Sequence, residues 1–294
     1  MKYVDNLSKR RQSCCICCCI KNEHDFINRW LEYHIKIGIC HFYLLVDNIY
    51  ETQEPYNIND DFKDHVTLVI ADKKYATKHN INLDNKAINN SNILIHKLYN
   101  TLFPLVKEDW ISMCALDNYI YSYKNVDEFL TCIHKENSNC SQIIMPWINV
   151  SNLLDNKVDN FPLDLGHSKY FHIPVKSCQA IIKKSNLKGV HINSHTFISK
   201  SSTQIIYLNN SYKSMPDILN TQQIFNLSKH YWQPLVNQGL VETFKSPFII
   251  HNIVRSYNEV IIKDALSWKK MDKFLDLKNF LEFKSKKINS HLTC

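Results

Sequence analysis

Two short stretches of the sequence combine polar side chains in patterns that can do chemistry. In the first, ALDNY, Asp117 follows an apolar run, which predicts a carboxylate at the tip of a buried strand. A carboxylate in that place is costly unless it is paired or binds something, and such oxygen ligands often hold a divalent cation. The alternative is an aspartate that only turns the chain, and the pattern alone does not choose between the two.

The second stretch, HNIVRSYNE, predicts the start of a helix. Ser256 and Glu259 form the S-x-x-E capping box, and Arg255 stands directly before it. Backbone N–H groups, the positive end of the helix dipole and a guanidinium then converge on one spot, which favours an anion. His251, slightly upstream, can be a metal ligand or a phosphate donor. An ordinary surface helix with a solvated arginine is the alternative.

Further polar residues follow the cysteine-rich run CCICCCI at positions 14–20. One possible role of these cysteines is zinc binding, but zinc commonly needs a second, separated pair of ligands, which this run lacks. Palmitoylation of the cysteines is another possible role. Free cysteine behaves as a small apolar residue, and a short continuous apolar run is typical of a strand buried in a parallel sheet. We therefore expect a core strand, with the chemistry beginning at Lys21, Asn22 and Glu23.

A helix and a second strand follow, so the region predicts a β-α-β unit. Apolar residues recur at helical spacing over 26–35, with Asn22 as the predicted cap and Gly38 as the predicted end. The next apolar run ends at Asp47 and Asn48. A right-handed crossover makes the two strands parallel, so their polar ends share the carboxyl edge of the sheet, where open α/β sheets bind ligands.

The remaining pattern completes an α/β chain without repeats or an evident linker. We predict strands in DHVTLVIAD, DWISMCALDNYIY, CSQIIMPWINV, QAIIKK and VHINSHTFI, a long helix over 84–103 and a basic helix from about 256. Residues 203–250 are weakly patterned. The expected organisation is one domain over 1–255, with a C-terminal helix and basic tail over 256–294 packed on it.

Composition excludes several classes of protein. With 294 residues, 45% hydrophobic and 21% charged, the chain can bury a large core and is not disordered. Only 4 glycines and no glycine-rich loop argue against P-loop and dinucleotide fingerprints. A net charge of +7 suits an anionic small molecule and does not demand nucleic acid. Eleven cysteines without disulfide spacing, and no long apolar segment, predict a soluble cytoplasmic chain without a transmembrane segment.

These stretches together resemble glycosyltransferase family 92 and its family-2-like bacterial and viral relatives. IKNEHDFINRWLEYHIKIGICHFYLLVDN is similar to the family's opening: an apolar strand, Lys-Asn-Glu, a helix with Trp-x-x-x-His, a glycine, and an aromatic-rich strand ending in Asp-Asn. DWISMCALDNYIY resembles the family's Asp-x-Asp-Glu-Phe segment, with Ala115 and Asp117 at the two acidic positions. HNIVRSYNEVIIK is similar to a later His-Tyr-x-x-Lys-Ser-x-x-Glu-Phe segment.

The resemblance implies a GT-A fold, which is a Rossmann-like, mostly parallel mixed sheet flanked by helices, here with a C-terminal helical extension. It implies an inverting, hexosyltransferase-like enzyme that uses a nucleotide-sugar donor (a UDP-sugar), a glycan or protein acceptor and a divalent cation, Mn²⁺ or Mg²⁺. By position, the nucleoside would be met by Lys21, Asn22, Glu23, Asp47 and Asn48. The metal would be held by Asp117 and His251, and the leaving phosphates would be neutralised by Arg255.

Two points stay open in this resemblance. An inverting reaction needs a carboxylate base, and in the loop after the fifth strand we nominate Asp155. Ala115 stands where the family has its first acid, which removes one contact to ribose or metal. The alternative function is therefore a degenerate GT-A module that binds a nucleotide sugar or a partner without turnover. Nucleotidyl transfer shares the architecture, but its glycine-rich basic signature is missing near the first strand.

Overall fold

The structure is a computed structural model, and it describes residues 11–83, 91–122, 124–151, 171–172, 178–190, 197–200, 204–208, 211–215 and 247–254. Five of the predicted features lie wholly or partly outside these residues: the closing helix from about 256, Asp155, Arg255, residues 84–90 of the predicted long helix and residues 191–196 of VHINSHTFI. The side chain of His251 is likewise outside the description, although its backbone is within it.

The first strand is the buried core strand that the cysteine run predicts. It spans Cys14–Ile20, and four of its cysteines, Cys14, Cys15, Cys17 and Cys18, are 0% exposed. Burial raises the pKa of the Cys14, Cys15 and Cys18 thiols well above its usual range. The thiol form is therefore favoured over the thiolate that binds metal, and these side chains act as small apolar groups.

The strands of the described chain are numbered in chain order. They are β1 (Cys14–Ile20), β2 (His41–Asp47), β3 (Val66–Ala71), β4 (Trp110–Met113), β5 (Asn118–Tyr121), β6 (Gln142–Ser151), β7 (Phe171–His172), β8 (Cys178–Lys183), β9 (Leu187–Val190), β10 (Phe197–Ser199), β11 (Gln204–Leu208), β12 (Ser211–Met215) and β13 (Phe248–Val254). Strands β9 and β10 form a separate antiparallel pair, and the other described strands belong to one sheet.

Four parallel strands form one half of the main sheet. Strand β1 pairs in parallel with β2 on one side and with β4 on the other, and β2 pairs in parallel with β3. Their last residues therefore meet at one edge, which we call the carboxyl edge. The main path runs β12-β11-β6-β8-β4-β1-β2-β3, in which β8 is antiparallel to both β4 and β6. The predicted class, a mostly parallel mixed sheet, is confirmed.

Four helices flank this sheet in the described residues. They are α1 (Ile27–Lys36), α2 (Lys73–Lys78), α3 (Ser91–Leu102) and α4 (Val126–Glu136), with short 3₁₀ turns at Asp60–His65, Phe103–Leu105 and Lys184–Asn186. Helix α4 was not among the predicted elements, although its buried residues Val126, Phe129, Leu130 and Ile133 recur at helical spacing. No helix in this part of the chain combines the length and the apolar character that a membrane crossing needs.

Two local predictions were wrong. Asn22 does not cap α1: the helix begins at Ile27, and Asn22 instead turns the chain with a positive φ of 55°. Asparagine tolerates that left-handed conformation better than most residues. The segment DWISMCALDNYIY is also not one strand, because a turn separates β4 from β5 and lets β5 pair with β13.

Gly38 ends α1, as predicted. Its φ is +94°, a region that glycine enters without steric cost. The Gly38 N–H donates to the Ile35 carbonyl and the Ile39 N–H donates to the His34 carbonyl, both at 3.0 Å, which is the Schellman pattern. A Cβ at position 38 would lie 2.9 Å from Oδ1 of Asp127 on α4.

We expect Gly38→Ala to lower the free energy of unfolding by about 1–2 kcal/mol, because the new Cβ is strained at positive φ. Urea denaturation measures the change. Gly189→Ala is the matched control: among the described residues, the atom nearest to its Cβ would be Ile198 Cδ1 at 3.7 Å, and we expect a change within about 0.5 kcal/mol. Equal effects of the two substitutions would contradict the role of Gly38.

Candidate functional site

The carboxyl edge brings together the first two groups of predicted site residues. Ile20, the last residue of β1, pairs with Val46 of β2, so Lys21–Glu23 and Asp47–Asn48 leave neighbouring strands at the same level. The Asn48 N–H donates to the Ala71 carbonyl of β3 at 2.9 Å. The Asp47 carboxylate accepts the Ile49 N–H at 3.2 Å, which tightens the turn after β2.

The segment 49–59 crosses this edge and holds the turn after β1. The side-chain oxygen of Gln53 accepts the Asn22 N–H at 2.8 Å, and the Tyr56 hydroxyl accepts the Glu23 N–H at 3.1 Å. The backbone N–H of Gln53 donates to the Asn48 side-chain oxygen at 3.1 Å. These two N–H groups of the turn are therefore engaged within the protein.

Lys21 at the same edge is held only loosely. Its ammonium lies 3.3 Å from a Glu51 carboxylate oxygen, with 40% and 59% of the two side chains exposed. Ion pairs of this kind are screened by water and contribute little to stability. Lys21 can therefore exchange Glu51 for an anionic ligand at small cost.

Asp117 lies in the turn between β4 and β5. The Asn118 N–H donates to the Ala115 carbonyl at 2.9 Å, which closes this turn. The Cys114 N–H, directly after β4, donates to the Cys17 carbonyl of β1 at 3.3 Å. Because β4 runs parallel to β1, the turn of Asp117 opens at the same edge as Lys21–Glu23.

Strand β13 carries His251 to this turn. In the register of the antiparallel pair β5–β13, His251 lies opposite Asn118, and on its other side it lies opposite Asn149 of β6. The backbones of the two predicted metal residues, Asp117 and His251, are therefore neighbours, although they are far apart in the sequence. Asp155 and Arg255 come after β6 and β13 in the sequence and lie outside the described residues.

The fit of a divalent cation to this place depends on its donor types. A carboxylate oxygen from Asp117 and an imidazole nitrogen from His251 are donors that Mn²⁺ accepts. Among the described residues, no group of three or more His, Cys, Asp or Glu side chains could hold a metal ion. The described part of the chain thus supplies one carboxylate and one histidine position, and further ligands would come from water, the donor phosphates or the rest of the chain.

Helix α1 fixes β5 through three buried side chains. The Trp30 indole N–H donates to the Asn118 carbonyl at 2.9 Å, and the Tyr33 hydroxyl donates to the Ile120 carbonyl at 2.9 Å. The Ile120 N–H donates to His34 Nε2 at 3.3 Å. All three side chains are buried. The Trp-x-x-x-His spacing that marks the resemblance thus has a structural role, because it holds the strand that follows Asp117.

The His34 ring is neutral, and its tautomer follows from its two contacts. Since Nε2 accepts a hydrogen bond, the proton is on Nδ1, which lies 2.8 Å from the Trp30 carbonyl and donates to it. The ring is 0% exposed and stacks on Tyr119 of β5, with ring centroids 5.6 Å apart. Burial lowers the pKa of His34 to about 3.

Three buried carboxamides have polar atoms without a hydrogen-bond partner among the described residues. They are Gln53 at Nε2, Asn118 at Oδ1, and Gln179 of β8 at both amide atoms. Gln53 and Asn118 belong to the turns of the carboxyl edge. None of the three was predicted from the sequence, because the spacing of glutamine and asparagine residues does not distinguish buried side chains from exposed ones.

No protein-family model matches the sequence, and no curated protein matches it. Among solved structures, S. aureus TarS 1-349 in complex with UDP is 10% identical, over 59% of this chain and 47% of that chain, with a TM-score of 0.34. The mannosyltransferase Ktr4p from S. cerevisiae is 14% identical, over 49% of this chain and 41% of that chain, with a TM-score of 0.24.

A UDP-glucose pyrophosphorylase complexed with UDP-glucose is 11% identical, over 88% of this chain and 100% of that chain, with a TM-score of 0.26. The matched part of the chain spans about half the length of the TarS 1-349 structure. Likenesses of this size do not assign a function.

The buried His34 predicts a pH dependence of stability. Because its pKa is about 3 when folded and about 6.5 when unfolded, the unfolded chain takes up the proton first as pH falls. The wild type should lose about 1.4 kcal/mol of unfolding free energy per pH unit below 6.5 from this residue. The non-titrating variant His34→Gln should lose less over the same range. Urea denaturation at pH 7 and pH 5 compares the two, and parallel losses would refute the assignment.

Proposed function

We propose that this protein is a glycosyltransferase that moves a hexose from a UDP-sugar to a hydroxyl of a glycan or protein acceptor. The observation that carries the proposal is the convergence at the carboxyl edge. The polar turns 21–23 and 47–48, the turn of Asp117 and the backbone of His251 meet there. They do so in the chain order that resembles glycosyltransferase family 92.

The donor would lie across this edge. Lys21, Asn22, Glu23, Asp47 and Asn48 would contact the nucleoside, since their turns flank the ends of β1 and β2. The exposed side chains of Lys21 and Asn22 are accessible to a ligand. The diphosphate would then extend toward the turn of Asp117, where β4 and β5 separate.

The transfer builds negative charge on the departing diphosphate. Asp117 and His251 would hold a divalent cation, Mn²⁺ or Mg²⁺, which neutralises part of that charge. Arg255 would pair with the phosphate oxygens. The acceptor oxygen bonds to the anomeric carbon from the face opposite the diphosphate, whose bond breaks, so the configuration inverts. The proton of the acceptor hydroxyl would pass to the Asp155 carboxylate.

A second candidate function follows from Ala115. The Ala115 carbonyl accepts the Asn118 N–H that closes the turn, but the side chain of Ala115 has no carboxylate. This position therefore supplies no second acid beside Asp117. A nucleotide-sugar-binding module without turnover is compatible with that loss. Hydrolysis or transfer of a sugar nucleotide that disappears in His251→Ala would decide for the enzyme. Binding of the same compound without any product would decide for the module.

We expect Asp117→Asn to weaken binding of UDP in the presence of Mn²⁺ at least about tenfold, because the amide keeps the size of the side chain and removes its charge. Isothermal titration calorimetry measures the affinity with and without the metal. Asp64→Asn is the matched control: Asp64 is exposed and precedes β3 at the opposite edge of the sheet, so binding should not change.

Two results would overturn the proposed function. One is a wild type that binds neither UDP nor any UDP-sugar. The other is an Asp117→Asn variant whose affinity for UDP with Mn²⁺ equals that of the wild type.

A further inference from the structure

Gln53 is a buried carboxamide of which only one end is used. It is 7% exposed, and its side-chain oxygen accepts the Asn22 N–H at 2.8 Å. Its amide nitrogen, Nε2, has no hydrogen-bond partner in the described chain. A buried donor without a partner costs about 1–3 kcal/mol. A group from outside the protein that accepts this hydrogen bond would remove the cost.

The orientation of this amide follows from its neighbour. A backbone N–H can only donate, so the end of Gln53 that faces Asn22 must be the oxygen. The other end is therefore an N–H₂ group, which donates and cannot accept. Since the Gln53 backbone N–H is bound to the Asn48 side chain, the residue is held from both sides and the amide cannot turn freely. The missing partner must be an acceptor.

The surroundings of Gln53 suit a flat ring. The segment 49–59 places it between the turn after β1 and the turn after β2. In the same segment, Tyr56 accepts the Glu23 N–H and stacks on the exposed ring of His24, with centroids 4.1 Å apart and planes at 20°. The exposed ring of His24 thus follows the turn that Gln53 holds. An exposed ring on the same turn as a fixed donor is a combination that holds a nucleobase by stacking and by one polar edge.

We propose that Gln53 determines which base the site accepts, by donating from Nε2 to a ring carbonyl oxygen. This inference rests on the proposed function and deepens it. The carbonyl in question is O4 of uracil: at the corresponding position cytosine and adenine carry an amino group, N4 or N6, which would face another donor. Guanine carries its O6 carbonyl there, so UDP and GDP share the required acceptor, and CDP and ADP present a donor at that position.

The test uses Gln53→Glu in the whole chain, with UDP, GDP, CDP and ADP as ligands, by calorimetry at pH 8, where the new carboxyl is ionised. This variant keeps an oxygen for the Asn22 N–H and exchanges the free donor for an acceptor. The negative charge that it adds acts on all four ligands, so the ratio of affinities is the quantity compared. We expect the affinity ratio of UDP to CDP to exceed about tenfold in the wild type and to fall at least about tenfold in the variant.

Gln53→Met separates this role from a structural one. Methionine has a similar length, but its thioether is a weak hydrogen-bond acceptor. Because the Asn22 N–H then loses its acceptor, the free energy of unfolding should fall. Urea denaturation measures this change. Gln53→Glu keeps an acceptor for the Asn22 N–H, and we expect it to lose the base preference. A purely structural Gln53 predicts a different result: both variants lose stability, and neither changes the ratio of UDP to CDP.

The outcomes separate this inference from the proposed function. A wild type that binds no nucleoside diphosphate overturns both. A wild type that binds UDP, with a UDP to CDP ratio that Gln53→Glu leaves unchanged, overturns only the role of Gln53 and assigns its free donor to water. A preference for GDP that Gln53→Glu removes supports the carbonyl contact and replaces uridine by guanosine as the nucleoside.

Discussion

The parallel pairing of β1 with both β2 and β4 is the constraint on which the rest of the structure depends. A strand with parallel neighbours on both sides and helices over the sheet must be apolar on both of its faces. The run CCICCCI meets that demand with small side chains. Because the three strands run in one direction, every turn that follows them opens at the same edge. Polar residues that are distant in the sequence meet there without any long connection.

Hydrogen bonds from neighbouring segments fix the conformation of the turns at the carboxyl edge. The segment 49–59 takes up the N–H groups of Asn22 and Glu23, and helix α1 holds β5 through Trp30, Tyr33 and His34. These are hydrogen bonds between buried groups, in which a lost partner leaves an unsatisfied polar atom. The turn of Asp117 thus leads into a strand, β5, that is fixed by α1 and by β13.

Much of the fold could be predicted from the sequence, because long apolar runs and their polar ends are local signals. Strands β1, β2, β3 and β6 follow such runs closely. The break between β4 and β5 could not be predicted, since it depends on the pairing of β5 with β13, more than a hundred residues away. Helix α4, in contrast, could have been predicted: its buried residues Val126, Phe129, Leu130 and Ile133 recur at helical spacing, and its first turn is acidic.

The candidate site divides in the same way. Asp117 and the residues of the turns after β1 and β2 were found because each follows an apolar run. Gln53 was not predicted. It is singled out by one hydrogen bond to Asn22 and by one buried atom without a partner in the described chain, and the spacing of residues indicates neither. The Trp30 and His34 spacing was noticed as helical, yet their polar contacts with β5 became apparent only from the structure.

The thiols of β1 have a practical consequence for handling the protein. Cys132 is exposed and accessible to alkylating reagents in the native state, whereas Cys14, Cys15 and Cys18 are enclosed and have a raised pKa. The enclosed thiols become reactive only when the sheet separates. Their slow modification therefore gives an intrinsic measure of how often the centre of the molecule opens, with no introduced label.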